Sequence, residues 1–218
     1  MTNNPFEEKL QLQRCLKMTE EICKRVSLSP EVKEAIATTK RELFVPVGFK
    51  HFAYKLDALP LSCRQWISSP LTVAKMTEAL QPQGADSVLE IGCGSGYQAA
   101  VLSKLFRRVF TIERIEKLLI EAKKRFRAYG LTNIHTRLAD GREGWKNYAP
   151  YDRILLSAAT SEVPPALFEQ LAIGGILVAP IKEGETQIIT RFKKKKTSVI
   201  VEKLDKCSFV FMKEGVEK

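Results

Sequence analysis

The feature that most restricts the fold is a regular exchange of short apolar runs with helix-patterned runs, starting at residue 70 and continuing to about residue 181. "PLTVAKMTEAL" reads as a helix, "SVLEIG" as a short buried strand, "YQAAVLSKLF" as a helix and "RVFTIE" as a strand. "IEKLLIEAKKRFRAYG" is a helix closed by Gly130 as a C-cap, and "NIHTRLAD" is a third strand. "YDRILLSAA" gives a fourth strand, "PPALFEQLA" a helix and "GGILVAPI" a fifth strand. Strands that are apolar throughout and alternate with helices belong in a parallel sheet covered on both faces. After residue 185 the alternation stops, and "TQIITRFKKKKTSVIVEKL" has the pattern of a hairpin around a solvated lysine tip. The expected architecture is α/β: a doubly wound, mostly parallel Rossmann-like sheet that ends in an antiparallel hairpin.

Ahead of this unit, residues 5 to 27 place Leu12, Leu16, Thr19 or Ile22, and Cys23 at helical spacing. "SPEVKEAIATTK" offers Ser29 as an N-cap, Pro30 at the first helical position, and Val32 and Ile36 on one face. A chain of 218 residues buries one sizeable core. Residues 1–69 are therefore expected to be a helical appendage, and residues 70–218 one compact unit.

Bulk composition excludes several classes. With 44% hydrophobic and 28% charged residues the chain is an ordinary globular one, and no apolar run reaches the ~18 to 20 residues of a membrane span. The N-terminus lacks the basic start and apolar core of a secretory signal, so a cytoplasmic setting is expected. Five scattered cysteines without a CxxC pair suggest reduced thiols, and with only His51 and His135 as histidines no metal is expected. The net charge of +10 fits lysines spread over solvated faces. Nucleic-acid contact is disfavoured but left open by that charge, since the basic residues are not interleaved with aromatics.

"LEIGCGSGYQAA" sets Gly92, Gly94 and Gly96 between a strand and a helix, where backbone can approach a nucleotide-like ligand. The spacing is GxGxG, no GK[ST] follows for a triphosphate, and Glu113 stands at the end of the second strand. A carboxylate there can accept from both hydroxyls of a ribose. Asp140 and Gly141 follow the third strand, where adenine would lie. Each acid has a plainer alternative: Glu90 as a cap or ion-pair residue, Glu113 paired with Arg114 or Lys117, Asp140 opening a turn. Their order after successive strands favours S-adenosylmethionine over NAD. The candidate cofactor contacts are Glu90, Gly92, Cys93, Gly94, Ser95, Gly96, Glu113, Arg114, Asp140 and Gly141.

From "RELFVP" (41–46) through "ALP", "ISSP" (67–70), "VAKMTEAL", "VLEIGCGSGYQAAVL", "IERI", "LADGREGW", "APYDRILLSAA", "LFEQL", "GGILVAPI" and "FVFMKEG", the chain resembles the protein-L-isoaspartate (D-aspartate) O-methyltransferases over about residues 31 to 215. The resemblance implies a methyltransferase sheet and methyl transfer from S-adenosylmethionine to the free α-carboxylate of isoaspartyl residues in damaged proteins. It matches Gly92, Gly94 and Gly96 to the methionine end of the cofactor, Glu113 to its ribose and Asp140 with Gly141 to its adenine edge. It sets Ser68 beside the transferred methyl group and the acceptor carboxylate, and Phe209 to Lys213 as a cover bulkier than the usual "FVPL". Gln65, Trp66, Ile67 and Ser69 complete the expected substrate lip. Where family members read glycine, any residue, glycine, glutamine, threonine, isoleucine, serine, this chain reads "SCRQWIS", so Ser62, Arg64 and Trp66 replace two glycines and a threonine. Trp66 could instead be core packing.

The expected partners are isoaspartyl proteins or peptides met by a monomer away from membranes. Two rival readings remain open at this point. One is a methyltransferase with another acceptor, such as RNA; the other is a cofactor-binding recognition module whose methyl channel Trp66 blocks.

Overall fold

The computed structural model describes residues 5–218. Its elements in chain order are α1 (Pro5–Cys23), α2 (Pro30–Thr38), β1 (Leu59–Leu61), β2 (Gln65–Ile67), α3 (Pro70–Ala79), β3 (Ser87–Ile91), α4 (Tyr97–Leu102) and β4 (Arg108–Glu113). They continue with α5 (Glu116–Ala128), β5 (Ile134–Leu138), β6 (Tyr151–Leu156), α6 (Pro165–Gln170), β7 (Leu171–Glu183), β8 (Thr186–Lys194) and β9 (Val199–Cys207). Seven strands form one sheet in the order β5-β4-β3-β6-β7-β8-β9, parallel from β5 to β7 and antiparallel from β7 to β9. This is the doubly wound architecture expected, hairpin included.

Alternation along the strands explains why they read as unbroken apolar runs. Val88, Val109, Leu155 and Val178 point into one core, while Leu89, Phe110, Ile154 and Leu177 point into the core on the other face. With both faces covered, neither parity can be polar. β5 departs from this, because an edge strand keeps solvent access: His135 is exposed and Arg137 half-buried. The chain winds outward from β3 through β4 to β5, then returns to β6 on the other side. The carboxyl ends of β3, β4 and β6 therefore flank the switch point at which α/β sheets bind ligands.

The N-terminal helices share the first of these cores: Met18, Ile22, Val32 and Ile36 cluster with Val88 and Val101. The buried stripe of α1 is Cys15, Met18, Thr19 and Ile22, whereas Leu12 and Leu16 are exposed. The stripe expected from spacing held Leu12, Leu16 and Cys23, and packing on α2 and α3 instead buries the neighbouring face that carries Cys15 and Met18. Ser29 occupies the N-cap position of α2, but its side chain makes no cap bond and instead donates to Glu78 Oε2 at 3.0 Å. Gly130 has φ +69° just past the α5 C-cap, as expected. Only the outer half of the lysine run is a solvated tip: Lys194 belongs to β8, and its Nζ donates to the carbonyls of Phe168 and Leu171 at 2.6 and 2.7 Å.

Asp152 and Gln170 serve as braces. The Asp152 carboxylate accepts from the amides of Asp86 and Ser87, both at 2.9 Å, and so ties the start of β3 to β6. Gln170 accepts from the Trp145 amide at 2.7 Å and donates to the Glu143 carbonyl.

Candidate active site

β3 runs into the turn Gly92-Cys93-Gly94-Ser95-Gly96 and then into α4. Gly94 has φ +53°, and its amide donates to Glu113 Oε2 at 2.8 Å. Gly96 has φ +89°, and a Cβ there would meet the Phe126 ring at 2.6 Å, so α5 packing fixes this glycine. Cys93 and Ser95 are buried, and the Ser95 hydroxyl accepts from the Tyr97 amide at 3.3 Å. α4 has six residues, shorter than the sequence pattern suggested, so the turn's hold on a ligand rests on its own amides.

Two carboxylates lie beneath and beside this turn. Glu90 has no exposed surface and accepts from the hydroxyls of Thr111 (2.6 Å) and Ser157 (3.2 Å); burial pushes it up to about 8. It makes neither a helix cap nor an ion pair. Glu113 accepts from three backbone amides: Gly94, then Arg114 at 2.9 Å and Ile115 at 3.0 Å. Burial raises this carboxyl above its ordinary value, and the amide bonds work against that shift. Glu113 does not pair with Arg114, whose guanidinium turns to the Gly215 carbonyl (3.0 Å) and to Glu217 (3.1 Å).

One open pocket collects most of the expected residues. It is lined by Gln65, Trp66, Ile67 and Ser68 from the lip, by Glu90 and Gly92 through Ser95, by Glu113, Arg114 and Gly141, and by Val210 to Lys213. Its mouth is open to solvent, and the space between these residues and the mouth amounts to about 890 Å³. The tail forms a cover as expected, held by reciprocal backbone bonds at 2.8 Å between Ala159 and both Val210 and Met212. Phe209 sits outside that cover and exchanges hydrogen bonds with Gln187.

Three expectations are corrected here. Asp140 does not line the pocket: its carboxylate accepts from Arg142 and, at 2.8 Å, from the Gly215 amide. Partial burial would raise this carboxyl, but the Arg142 and Gly215 bonds outweigh it and hold it below its ordinary value. Ser69 is also absent from the pocket, because its hydroxyl caps α3 by accepting from the Thr72 amide at 3.1 Å. Gly96 faces Phe126 and likewise does not line it.

The lip is a hairpin too short to announce itself in sequence, with β1 and β2 paired through Leu59↔Ile67 and Leu61↔Gln65. Gln65 N donates to the Ser62 carbonyl across a turn whose central residues, Cys63 and Arg64, have φ +58° and +56°. That is a type I′ turn, which glycine and asparagine usually occupy. Arg64, one of the two residues standing for a family glycine, therefore takes the left-handed conformation itself. Trp66 is 57% exposed at the pocket mouth; it is not core packing, and it leaves the cavity open. Ile67 is buried beneath it.

Sequence reasoning missed Arg41 and Tyr97. Tyr97 lines the pocket, and its buried hydroxyl has no hydrogen-bond partner among the described residues. Arg41 Nη1 donates to the Ser68 carbonyl at 2.9 Å. Arginine opening "RELFVP" reads as an exposed residue, and only packing reveals that it is enclosed.

The residues fit S-adenosylmethionine: a positive-φ glycine turn in which a Cβ at Gly94 would meet only Leu61 Cδ2 at 4.0 Å, a buried carboxylate at the end of β4, and no lysine in the turn for a pyrophosphate. Fold and site together define a Rossmann-like S-adenosylmethionine-dependent methyltransferase. A family model described as Protein-L-isoaspartate(D-aspartate) O-methyltransferase matches residues 14–217. A Helicobacter pylori (strain P12) protein-L-isoaspartate O-methyltransferase is 58% identical over 201 residues, covering 92% of this chain and 96% of that one. Its Dictyoglomus thermophilum counterpart is 46% identical over 185 residues, covering 85% and 84%. A solved protein-L-isoaspartate O-methyltransferase superposes with a TM-score of 0.82 at 27% identity over 92% of this chain, which spans 66% of that longer one. A Plasmodium falciparum structure in complex with S-adenosyl-L-homocysteine gives 0.79 at 21% identity, covering 91% of this chain and 98% of that one, and speaks for the fold alone. The chain belongs to the protein-L-isoaspartate(D-aspartate) O-methyltransferase family.

Proposed function

We propose that this pocket transfers a methyl group from S-adenosylmethionine to the free α-carboxylate of isoaspartyl residues in damaged proteins, with Ser68 at the acceptor. The chain is an S-adenosylmethionine-dependent protein-L-isoaspartate O-methyltransferase. The observation that carries the reading is one cavity bounded by the glycine turn on one side and Ser68 on the other. The RNA-directed and non-enzymatic readings are not favoured, given the family match over residues 14–217 and the exposed position of Trp66.

S-adenosylmethionine, when bound, supplies a methyl already electrophilic on a sulfonium, so an acceptor oxygen bonds to it as the carbon–sulfur pair returns to sulfur and no proton moves. An α-carboxylate is ionised at neutral pH, which removes the need for a general base. The chain's task is to position the two partners and replace the carboxylate's water with aimed donors. Gly92, Cys93, Gly94 and Ser95 would hold the methionine end, with Glu90 in the same wall. Glu113 has about four acceptor sites, of which the amides occupy three, leaving about one for a ribose hydroxyl rather than the pair expected from sequence. Gly141 borders the adenine. Asp140 and Arg114 act one step back by holding the tail across the pocket. The Ser68 hydroxyl orients the acceptor oxygen, and Gln65, Trp66 and Ile67 shape the entry. The segment up to residue 69 serves as the appendage that carries this lip, and residues 70–218 hold the cofactor.

Five free thiols support a cytoplasmic setting. Among the described residues no helix is long and apolar enough to cross a membrane. The test is incubation with labelled S-adenosylmethionine and matched aspartyl and isoaspartyl peptides. Label should enter the isoaspartyl peptide alone, and Ser68→Ala should cut kcat about tenfold with cofactor affinity kept. Equal labelling of both peptides, or none, would overturn the acceptor; unchanged turnover would remove Ser68 from its role.

A further inference from the structure

Arg41 has no exposed surface, and among the described residues no carboxylate answers it. Nη1 donates to the Ser68 carbonyl at 2.9 Å, Nη2 reaches the Asp57 carbonyl at 3.4 Å, and Nε has no partner. The guanidinium carbon lies 4.8 Å from the centre of the Tyr97 ring. The adjacent Glu42 is committed elsewhere, accepting from Gln11 and facing Arg14 at 3.5 Å. Burial lowers Arg41 to about 10, and Tyr97 works against that shift, so the group is still a cation at neutral pH.

Enclosing a guanidinium is costly unless an anion compensates it. The position of this one suggests which anion. Ser68 and Tyr97, two of the residues it contacts, both line the pocket, whereas Arg41 does not. A cation immediately behind that wall projects its field into the cavity through protein rather than through water, and salt screens it little.

We propose that Arg41 is the fixed counter-charge of the acceptor site, drawing an ionised carboxylate to the wall formed by Ser68 and Tyr97 without touching it. The proposal rests on the methyltransferase reading of the pocket. The reaction determines which step benefits. The acceptor is an anion when it binds and a neutral ester when it leaves, so a fixed positive charge favours the bound acceptor and loses its hold on the product. Most of the negative charge remains while the bond is only partly made, so bound acceptor and transition state are held about equally and the bond-making step gains little. Arg41 is thus a positioning residue whose effect falls on acceptor affinity and KM, with little on kcat.

The test uses calorimetry in the presence of S-adenosylhomocysteine, on an isoaspartyl peptide with its free α-carboxylate and on the same peptide with that group as a carboxamide. Wild-type protein should bind the acid about tenfold tighter than the amide. Arg41→Met should bring the ratio to within about twofold of one, and Arg41→Lys should retain part of the preference. KM for the acid should rise about tenfold in Arg41→Met, with kcat nearly constant. A change that only loosens the lip weakens both peptides alike and leaves the ratio intact, so an unchanged ratio in Arg41→Met sinks the proposal. Equal binding of acid and amide by the wild type sinks it as well, and that measurement needs no variant to fold. Absence of methylation on any isoaspartyl peptide would bring down the parent reading, whereas methylation with no acid preference brings down only Arg41.

Discussion

The glycine turn from Glu90 to Gly96 and the lip from Ser62 to Ser68 both contribute to the wall of one cavity, and they are built on different terms. In the turn, positive φ falls on Gly92, Gly94 and Gly96, and both carboxylates are hydrogen-bonded. In the lip, positive φ falls on Cys63 and Arg64, and the nearby Ser62 hydroxyl and Arg41 Nε are buried without partners. A non-glycine residue in the left-handed region costs about 1 to 3 kcal/mol. The glycine turn is therefore already arranged, while the lip holds backbone strain and lies beside buried polar groups that have no hydrogen-bond partner among the described residues.

Three further measurements would break or sharpen that contrast. The largest effect should come from Glu90→Gln, which tests how closed the floor of the cofactor half is. Glu90 is held at about 8, above its unfolded value, so the folded state binds the extra proton. Its contribution to stability is full below about pH 4.5 and is lost as pH rises through about 8. Glutamine mimics the neutral form; urea unfolding at pH 5 and pH 8 should show the variant gaining about 3 kcal/mol on the wild type between the two. Parallel behaviour would mean that Glu90 is ionised in the fold.

Next in size is Glu113→Ala. It leaves the amides of Gly94, Arg114 and Ile115 without their acceptor, and calorimetry should show S-adenosylmethionine binding about thirtyfold weaker. Equal affinity would mean the turn keeps its shape unaided. The smallest effect belongs to the lip: Arg64→Gly should raise stability by about 0.5 to 1 kcal/mol, seen as a Tm higher by ~1 to 4 °C. A lower Tm would mean that Arg64 makes contacts worth more than the strain it carries.

The middle of the sheet was legible because both of its faces are buried, so β3, β4, β6 and β7 appear as largely apolar runs, whereas the edge strands β5 and β9 keep polar residues. The glycine turn was legible because backbone with positive φ favours one residue type. The place of Glu113 at the end of β4 was legible for a similar local reason, since it follows directly from the strand pattern. Asp140 was misjudged because its orientation is set by Arg142 and by the Gly215 amide 75 residues away. Ser69 was misjudged because cap and pocket are competing uses of adjacent serines, and chain direction at α3 assigns one to each. The α1 stripe failed by a similar rule, with neighbouring helical faces similar in hydrophobicity and only one of them meeting α2 and α3.

What the sequence determined by itself was the order of strands and helices, the ligand-bearing turn and the identity of the acids near it, because these follow from periodicity and local backbone chemistry. Tertiary structure alone decided that Trp66 stands in solvent, that Arg64 bears a glycine's conformation, and that Arg41 is enclosed behind Ser68. Burial and charge pairing depend on what distant segments bring to the same place, and no local pattern records that.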